Sequence, residues 1–373
     1  LKAKMQNSSR VPIFVAAGGT GGDLFPVLAV VEELERTLQP KTVLEPIFIG
    51  NPRRIEGQVI PARGYQFIPI PMRGYYGLGR LRTYSLAWRL PVSLARVVRG
   101  FVSVRPRVAL LAGSYLSLPV ALVARSVRIP IVVVEINAVP GKVNRIVSRW
   151  AERILVSVPS CRDGLPRSVQ ERISVVGTPI RSELRTLPDA QTARRRFGLE
   201  TERPVLLVLG GSLGARSINQ AVETLVERIL AAGWQILWQT GAEFHTPSRA
   251  GVVARPFIED MASAYAAAEL VLSRAGGSTV AELTALGKAA ILVPYPHAAN
   301  REQHYNAEML VAAKAAVMVD DAELTTALWP ELSRLLHDEH RRLEMARAAR
   351  SIGVPDAAVR AASEIAALIS NGQ

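Results

Sequence analysis

Acidic residues are missing from one long stretch of this 373-residue chain. None occurs from Gly57 to Val134, where eleven arginines stand: Arg63, Arg73, Arg80, Arg82, Arg89, Arg96, Arg99, Arg105, Arg107, Arg125 and Arg128. The net charge is +13, so subtracting these eleven leaves the remainder near neutral. A one-sided basic field of this kind seeks polyanions, either nucleic acid or anionic lipid. Cysteine is almost absent. Cys161 alone excludes an internal disulfide framework and a cysteine-rich metal site, and it fits a reducing compartment. It reads as a small residue without a role. No window reaches ~18 apolar residues without charge, so no membrane-spanning helix is expected. Histidine occurs only at His245, His297, His304, His337 and His340. Low-complexity segments and short-period repeats are lacking. The chain opens at Leu1, which reads as a trimmed or tagged start, and "LKAKMQNSSR" lacks the apolar core of a signal peptide.

What is present is a packed composition, 49% hydrophobic and 21% charged, in a chain long enough for two domains. Short β-branched runs alternate with amphipathic segments: "VPIFVAA", "TVLEPIFIG", "RVALLAG", "IPIVVVE", "RILVSV" and "ISVVG" read as strands, "FPVLAVVEELER" and "SLPVALVARSV" as helices. A second series repeats the pattern from "PVLLVLGG" onward, with helices expected from Ser217 and Thr279. The fold class is α/β, as two Rossmann-like doubly wound domains. The expected division is 1–180, 181–350 and a final helix within 351–373 that packs back on the first domain, with a linker near 178–192.

Three glycine turns each follow a strand and precede a helix: "GGTGG" (18–22), "GGSLGA" (210–215) and "RAGGSTVAE" (274–282). Ligands of open parallel sheets bind at such places, where helix N–H groups lack partners and glycine lets an anion approach. None of the three fits G-x-G-x-x-G or G-x-x-x-x-G-K-[ST], which disfavours a dinucleotide site and an ATPase P-loop. A single glycine turn is as well explained by tight strand–helix packing. Three at equivalent places point to a cleft between domains that holds a phosphorylated ligand.

Joined in order, "GGTGGDLFPVLAV", "GSYLS", "VEINAVPGKVN", "GTPIR", "GGSLGARSIN", "PFIEDM", "SRAGGSTVAEL" and "VPYPHAANREQHYNA" resemble the MurG family, the bacterial UDP-N-acetylglucosamine transferases that convert lipid I to lipid II in peptidoglycan synthesis. The resemblance spans nearly the whole chain, and its motifs are specific jointly rather than singly. It implies a GT-B fold with a C-terminal domain for UDP-GlcNAc and an N-terminal domain for the acceptor and the membrane. It further implies a peripheral protein on the cytoplasmic face of the bacterial inner membrane. No cofactor is implied, and no D-x-D metal motif is evident. The implied partners are UDP-GlcNAc, undecaprenyl-linked lipid I and an anionic membrane surface, with other cell-wall proteins besides. Nothing resembles a nucleic-acid motif.

Carried over residue by residue, Glu282 resembles the carboxylate that holds the ribose, against the plainer reading of a solvated helix glutamate. Phe257 and Ile258 resemble the segment against uracil, or are simply core. Arg181 resembles the arginine that meets the diphosphate and neutralises departing UDP. Ser212 and Thr279 are hydroxyls in glycine turns at helix starts, as caps, phosphate ligands or both, and Gly277 and Ser278 belong with them to the UDP-GlcNAc set. Glu302 and Gln303 resemble sugar contacts, with His297 beside them. Leu213 stands where many members carry glutamine. Thr20, Gly21, Gly22 and Asn137 complete the donor set, and Gly18, Gly19, Ser114, Tyr115 and Asn144 the acceptor set. The family usually has histidine after "GGTGG", read as the base that deprotonates the acceptor; here Asp23 stands there. Asp23 is either that base, or an acceptor-orienting group, or the cap of a helix starting near Leu24. In "RGYYGLGRLRTYSLAWRLPVSLARVVRGF", Leu90, Leu94, Val97, Val98 and Phe101 share one helix face flanked by Arg89, Arg96 and Arg99. That face is either core or a membrane-dipping surface. Two alternatives to lipid I glycosylation stand: another lipid acceptor such as a diacylglycerol or sterol, and a catalytically silent sugar-nucleotide binder.

Overall fold

The β-branched runs pair as parallel strands in two separate sheets. The computed structural model describes residues 9–40, 42–72, 86–211, 214–298 and 301–371. Ser212, Leu213, Arg73, Arg80 and Arg82 lie outside the described residues. The chain divides into two units, one formed by Leu1–Pro179 with Asp356–Gln373 and the other by Ile180–Pro355.

In the first unit β1 (Ser9–Ala16), β2 (Thr42–Gly50), β3 (Gln66–Pro69), β4 (Val108–Ala112), β5 (Ile131–Glu135), β6 (Arg153–Val156) and β7 (Ile173–Val175) lie in the order β3-β2-β1-β4-β5-β6-β7. Strand alternation splits the core in two. Ile13 and Val15 face one side, with α1 (Gly21–Leu38), and Phe14 and Ala16 the other. After α1 come α2 (Glu56–Ala62), α3 (Leu86–Val104), α4 (Ser117–Ser126) and α5 (Lys142–Val147). α3 approaches the sheet closely at Gly100, where a β-carbon would lie 2.9 Å from Ile68 Cδ1. One residue on, Phe101 meets Phe14 edge to face with centroids 4.6 Å apart, worth ~1 kcal/mol beyond its burial.

The second unit repeats the plan. β8 (Val205–Leu209), β9 (Gln235–Gln239), β10 (Val252–Arg255), β11 (Leu270–Ser273), β12 (Ala289–Leu292) and β13 (Ala316–Met318) lie in the order β10-β9-β8-β11-β12-β13. Its helices are α6 (Ala190–Phe197), α7 (Arg216–Ala231), α8 (Met261–Ala267), α9 (Gly277–Leu286), α10 (Glu302–Ala312), α11 (Leu324–His337) and α12 (Glu339–Ile352). α6 starts where Asp189 accepts Thr192 N–H at 2.8 Å and stops at Gly198, whose φ of 73° is the left-handed geometry glycine supplies. The last helix, α13 (Ala357–Asn371), returns to the first unit, where Ala361, Ile365 and Ile369 join the core under α1.

In both sheets the strand order reverses beside the first strand of the series, between β1 and β4 and between β8 and β11. Crevices at such switch points are the ligand sites of doubly wound sheets. All three glycine turns leave the carboxyl ends of these strands.

The expected apolar face of α3 needs correction. Leu90, Leu94, Val97 and Phe101 pack on the sheet, while Val98 is exposed. The outward stripe consists of Trp88, Val92, Val98 and Val102, the last 71% exposed, with Arg96 and Arg99 among them. Arg89 and Arg96 also donate to Pro71 O and Pro69 O, each at 2.7 Å. Among the described residues no helix is long and apolar enough to cross a membrane.

Candidate functional site

In the first unit, β1 ends at Ala16, and after Ala17 the backbone turns through Gly18 (φ 149°) and Gly19 (φ 92°) into α1. The turn is not an open anion cradle. Gly19 N–H donates at 3.0 Å to Glu56 Oε2, a carboxylate that is 1% exposed. α1 begins at Gly21 with Thr20 as its cap residue. Asp23 is therefore in the first helical turn and not the cap, and the Thr20 hydroxyl points at its Oδ2 from 3.5 Å. Gly22 and Asp23 are half-buried and Thr20 is exposed. The Tyr115 ring lies against Gly19, so that a β-carbon there would sit 3.3 Å from Cε1. Ser114 is buried, and its Oγ accepts Leu116 N–H at 3.3 Å.

Glu135, buried at the end of β5, accepts from Asn137 N–H (3.0 Å), Asn137 Nδ2 (3.3 Å), Gly141 N–H (2.9 Å) and Asn144 Nδ2 (2.8 Å). Burial pushes its carboxyl above the usual range and these donors pull it back. Asn144 also donates to Val134 O at 3.2 Å and accepts Gly113 N–H at 3.1 Å. Only 1% exposed, with both Nδ2 protons donated and Oδ1 accepting Gly113 N–H within the protein, Asn144 ties the ends of β4 and β5 together. Asn137 is half-buried beside it.

In the second unit the N-terminus of α9 is bare. Gly276 caps it without a side-chain bond, and no acid stands in the first turn. Gly277, Ser278 and Thr279 are half-buried there, so Thr279 lies inside the helix and is not its cap. Glu282, one turn further on, is 4% exposed. Its Oε1 pairs with Arg181 Nε at 3.1 Å and its Oε2 accepts the Tyr265 hydroxyl at 2.8 Å. Burial raises the Glu282 carboxyl above the usual range against the pull of Arg181 and Tyr265. Burial also drives the Tyr265 hydroxyl up, helped by Glu282. Glu282 is thus no solvated helix glutamate.

Phe257 and Ile258 part ways. Ile258 is in the core, and its N–H donates to Gln239 Oε1 at 2.9 Å; Phe257 is 41% exposed and carries the apolar surface of that segment. The other arm of Gln239 donates to Gly211 O at 2.9 Å, which links the first glycine turn of this unit to the "PFI" segment. Arg274 gathers Val293 O, Pro294 O, Ser217 Oγ and Asp321 Oδ1. Asn306 Nδ2 donates to Ala275 O at 3.1 Å, and Gln303 Oε1 accepts Tyr295 N–H at 3.0 Å. Gln303 therefore shapes the loop before α10. Glu302 is half-buried at the start of that helix, and His297 is exposed, edge-on to Tyr295.

Sequence reading missed Glu56, Gln239, Tyr265, Asn306 and Asp321. Cys161 is fully buried, and burial pushes its thiol up, which leaves it without nucleophilic character. Among the described residues no cluster of three or more His, Cys, Asp or Glu is arranged to hold a metal ion.

Comparison with known proteins gives the fold and the family. Residues 13–156 match the glycosyltransferase family 28 N-terminal domain and residues 205–361 its C-terminal domain. The UDP-N-acetylglucosamine-N-acetylmuramyl-(pentapeptide) pyrophosphoryl-undecaprenol N-acetylglucosamine transferase of Salinibacter ruber is 36% identical over 369 residues, covering 97% of this chain and 98% of the relative. The enzyme of the same name from Halorhodospira halophila is 37% identical over 360 residues, covering 94% and 96%. The crystal structure of Acinetobacter baumannii MurG superposes with a TM-score of 0.70 at 25% identity, covering 96% of this chain and 99% of that one. The fold is thus GT-B, and the chain belongs to glycosyltransferase family 28 and, within it, to the MurG family.

Proposed function

We propose that this chain is an inverting N-acetylglucosaminyltransferase. It moves GlcNAc from UDP-GlcNAc to the C4 hydroxyl of MurNAc in undecaprenyl-diphosphate-linked lipid I and forms lipid II for peptidoglycan synthesis. Family membership supports the reaction. In this chain the supporting observation is the Arg181–Glu282–Tyr265 cluster, on and beside a helix whose N-terminus carries neither acid nor capping side chain. Such an N-terminus suits a diphosphate, and a buried carboxylate one turn later suits ribose hydroxyls. Phe257 offers the base an exposed ring, and the α10 segment offers Glu302 and Gln303 to the sugar. The acceptor goes to the first unit, at Gly19, Ser114, Tyr115 and Asp23.

The acceptor O4 bonds to the anomeric carbon from the face opposite UDP. The bond from that carbon to the β-phosphate oxygen breaks, and the O4 proton passes to the Asp23 carboxylate. Charge gathers on departing UDP, where Arg181 and the first-turn N–H groups of α9 receive it, a contribution of ~3 kcal/mol in comparable sites. Peripheral binding at the cytoplasmic face of the inner membrane is supported by the outward stripe of α3, where Trp88, Val92, Val98 and Val102 stand among arginines.

The test is transfer of radiolabelled GlcNAc from UDP-GlcNAc to a lipid I analogue, by the parent and by Asp23→Asn, over about pH 5 to 9. The parent transfers, and the variant loses about 1000-fold in kcat. Transfer that survives in Asp23→Asn removes the base assignment. A parent that binds UDP without transfer is a silent binder, and one that glycosylates diacylglycerol in place of lipid I has another acceptor.

A further inference from the structure

The carboxylate on which the first glycine turn closes lies outside the sequence motifs that carry the resemblance above. Glu56 opens α2, and both of its oxygens accept backbone N–H groups, Oε2 from Gly19 and Oε1 from Asn51, each at 3.0 Å. The fit leaves no room on either side. A β-carbon at Gly18 would lie 2.6 Å from the Glu56 carboxyl carbon, and one at Gly50 would lie 2.6 Å from its Cγ. Asn51 is fixed in turn, with Nδ2 donating to Met72 O at 2.8 Å and Oδ1 accepting Arg53 N–H at 2.9 Å. A continuous set of bonds therefore runs from the end of β2 to the turn that launches α1, four residues before Asp23. A carboxylate is acceptor-only and matches two N–H donors, whereas an amide would set its own NH2 against one of them.

We propose that Glu56 is a positioning residue for glycosyl transfer. It touches no substrate. It holds Gly18 and Gly19 in their left-handed geometry and so aims the start of α1, with Thr20 and Asp23, at the acceptor hydroxyl. It also occupies the N–H that an incoming anion would use, which reserves this turn for a hydroxyl rather than a phosphate oxygen. The proposal rests on the reading of Asp23 as the group that takes or orients the acceptor proton.

The test is a double-mutant cycle of Glu56→Gln with Asp23→Asn in steady-state transfer to the lipid I analogue, with UDP binding measured by calorimetry. Glu56→Gln is expected to lower kcat by about 100-fold, the scale of lost orientation. KM for UDP-GlcNAc and UDP affinity, which the proposed function assigns to the α9 site of the second unit, stay within about two-fold of the parent. The double variant is expected to be no slower than Asp23→Asn alone, because Glu56 acts through Asp23. Parental kcat in Glu56→Gln, a parallel rise in donor KM, or fully additive losses in the double variant overturn the proposal. Parental kcat in Asp23→Asn overturns instead the reading beneath it. If Glu56→Gln does not fold, Gly18→Ala presses a methyl on the same carboxylate. It is expected to lose kcat with donor KM unchanged, and parental kcat there overturns the proposal.

Discussion

The two units share a strand order and place their glycine turns at equivalent crevices, yet they dress the helix that follows in opposite ways. At α1 the protein supplies its own anions: Glu56 on the Gly19 N–H and Asp23 within the first turn. At α9 the cap is glycine, the first turn has no acid, and the nearest carboxylate, Glu282, is buried one turn later against Arg181 and Tyr265. A helix N-terminus attracts negative charge. One that is already supplied with carboxylates is suited to a neutral hydroxyl losing its proton, and a bare one to a diphosphate. On the proposed reading the same fold carries two different chemistries, and the choice lies in two or three side chains per turn.

The largest expected effect on donor binding comes from making the second turn like the first. Ser278→Asp puts a carboxylate where the diphosphate is proposed to be received and is expected to weaken UDP binding by about 100-fold or more, while α9 itself remains intact. Calorimetry with UDP reads this directly, and unchanged affinity would remove the diphosphate from α9. Next in size is Glu282→Gln, expected to raise KM for UDP-GlcNAc by about 30-fold through loss of a charged acceptor for the ribose. Because burial lifts the Glu282 carboxyl above the usual range, it takes up a proton sooner than an ordinary glutamate as pH falls. Donor KM should therefore climb on acidification in the parent and stay flat in Glu282→Gln; identical profiles would break the assignment. The smallest effect concerns the first unit's membrane side. Trp88→Ser combined with Val102→Ser is expected to reduce cosedimentation with anionic vesicles by about 10-fold, and undiminished binding would place the contact elsewhere.

Much of the fold was legible, because the switch points fall where glycine turns interrupt β-branched runs, and a turn is a local signal. The pairing of Arg181 with Glu282 was legible only as two separate motif residues; their contact depends on tertiary packing. α3 shows the limit of periodicity: a face drawn from Leu90 to Phe101 contains Val98, which sits on its rim and turns outward. The residues that went unread hold loops from a distance. Gly19 and Glu56 are 37 positions apart, Ser217 and Asp321 104. Spacing says nothing about such partners. One signal was nonetheless present. The acid-free stretch from Gly57 to Val134 is bracketed by Glu56 and Glu135, and both are buried carboxylates that accept loop N–H groups. An acid that survives at the border of a basic region is a candidate for such a role.

The return of α13 to the first unit has a consequence for biosynthesis. Domains commonly fold in order of emergence from the ribosome. Here Ile365 and Ile369 complete the core beneath α1, so the first unit reaches its finished state only after the second has been translated. Until then the strip of α1 that these residues cover stays open to chaperones and to other nascent chains. Fusions or truncations beyond Pro355 would therefore act on soluble yield through the opposite end of the polypeptide.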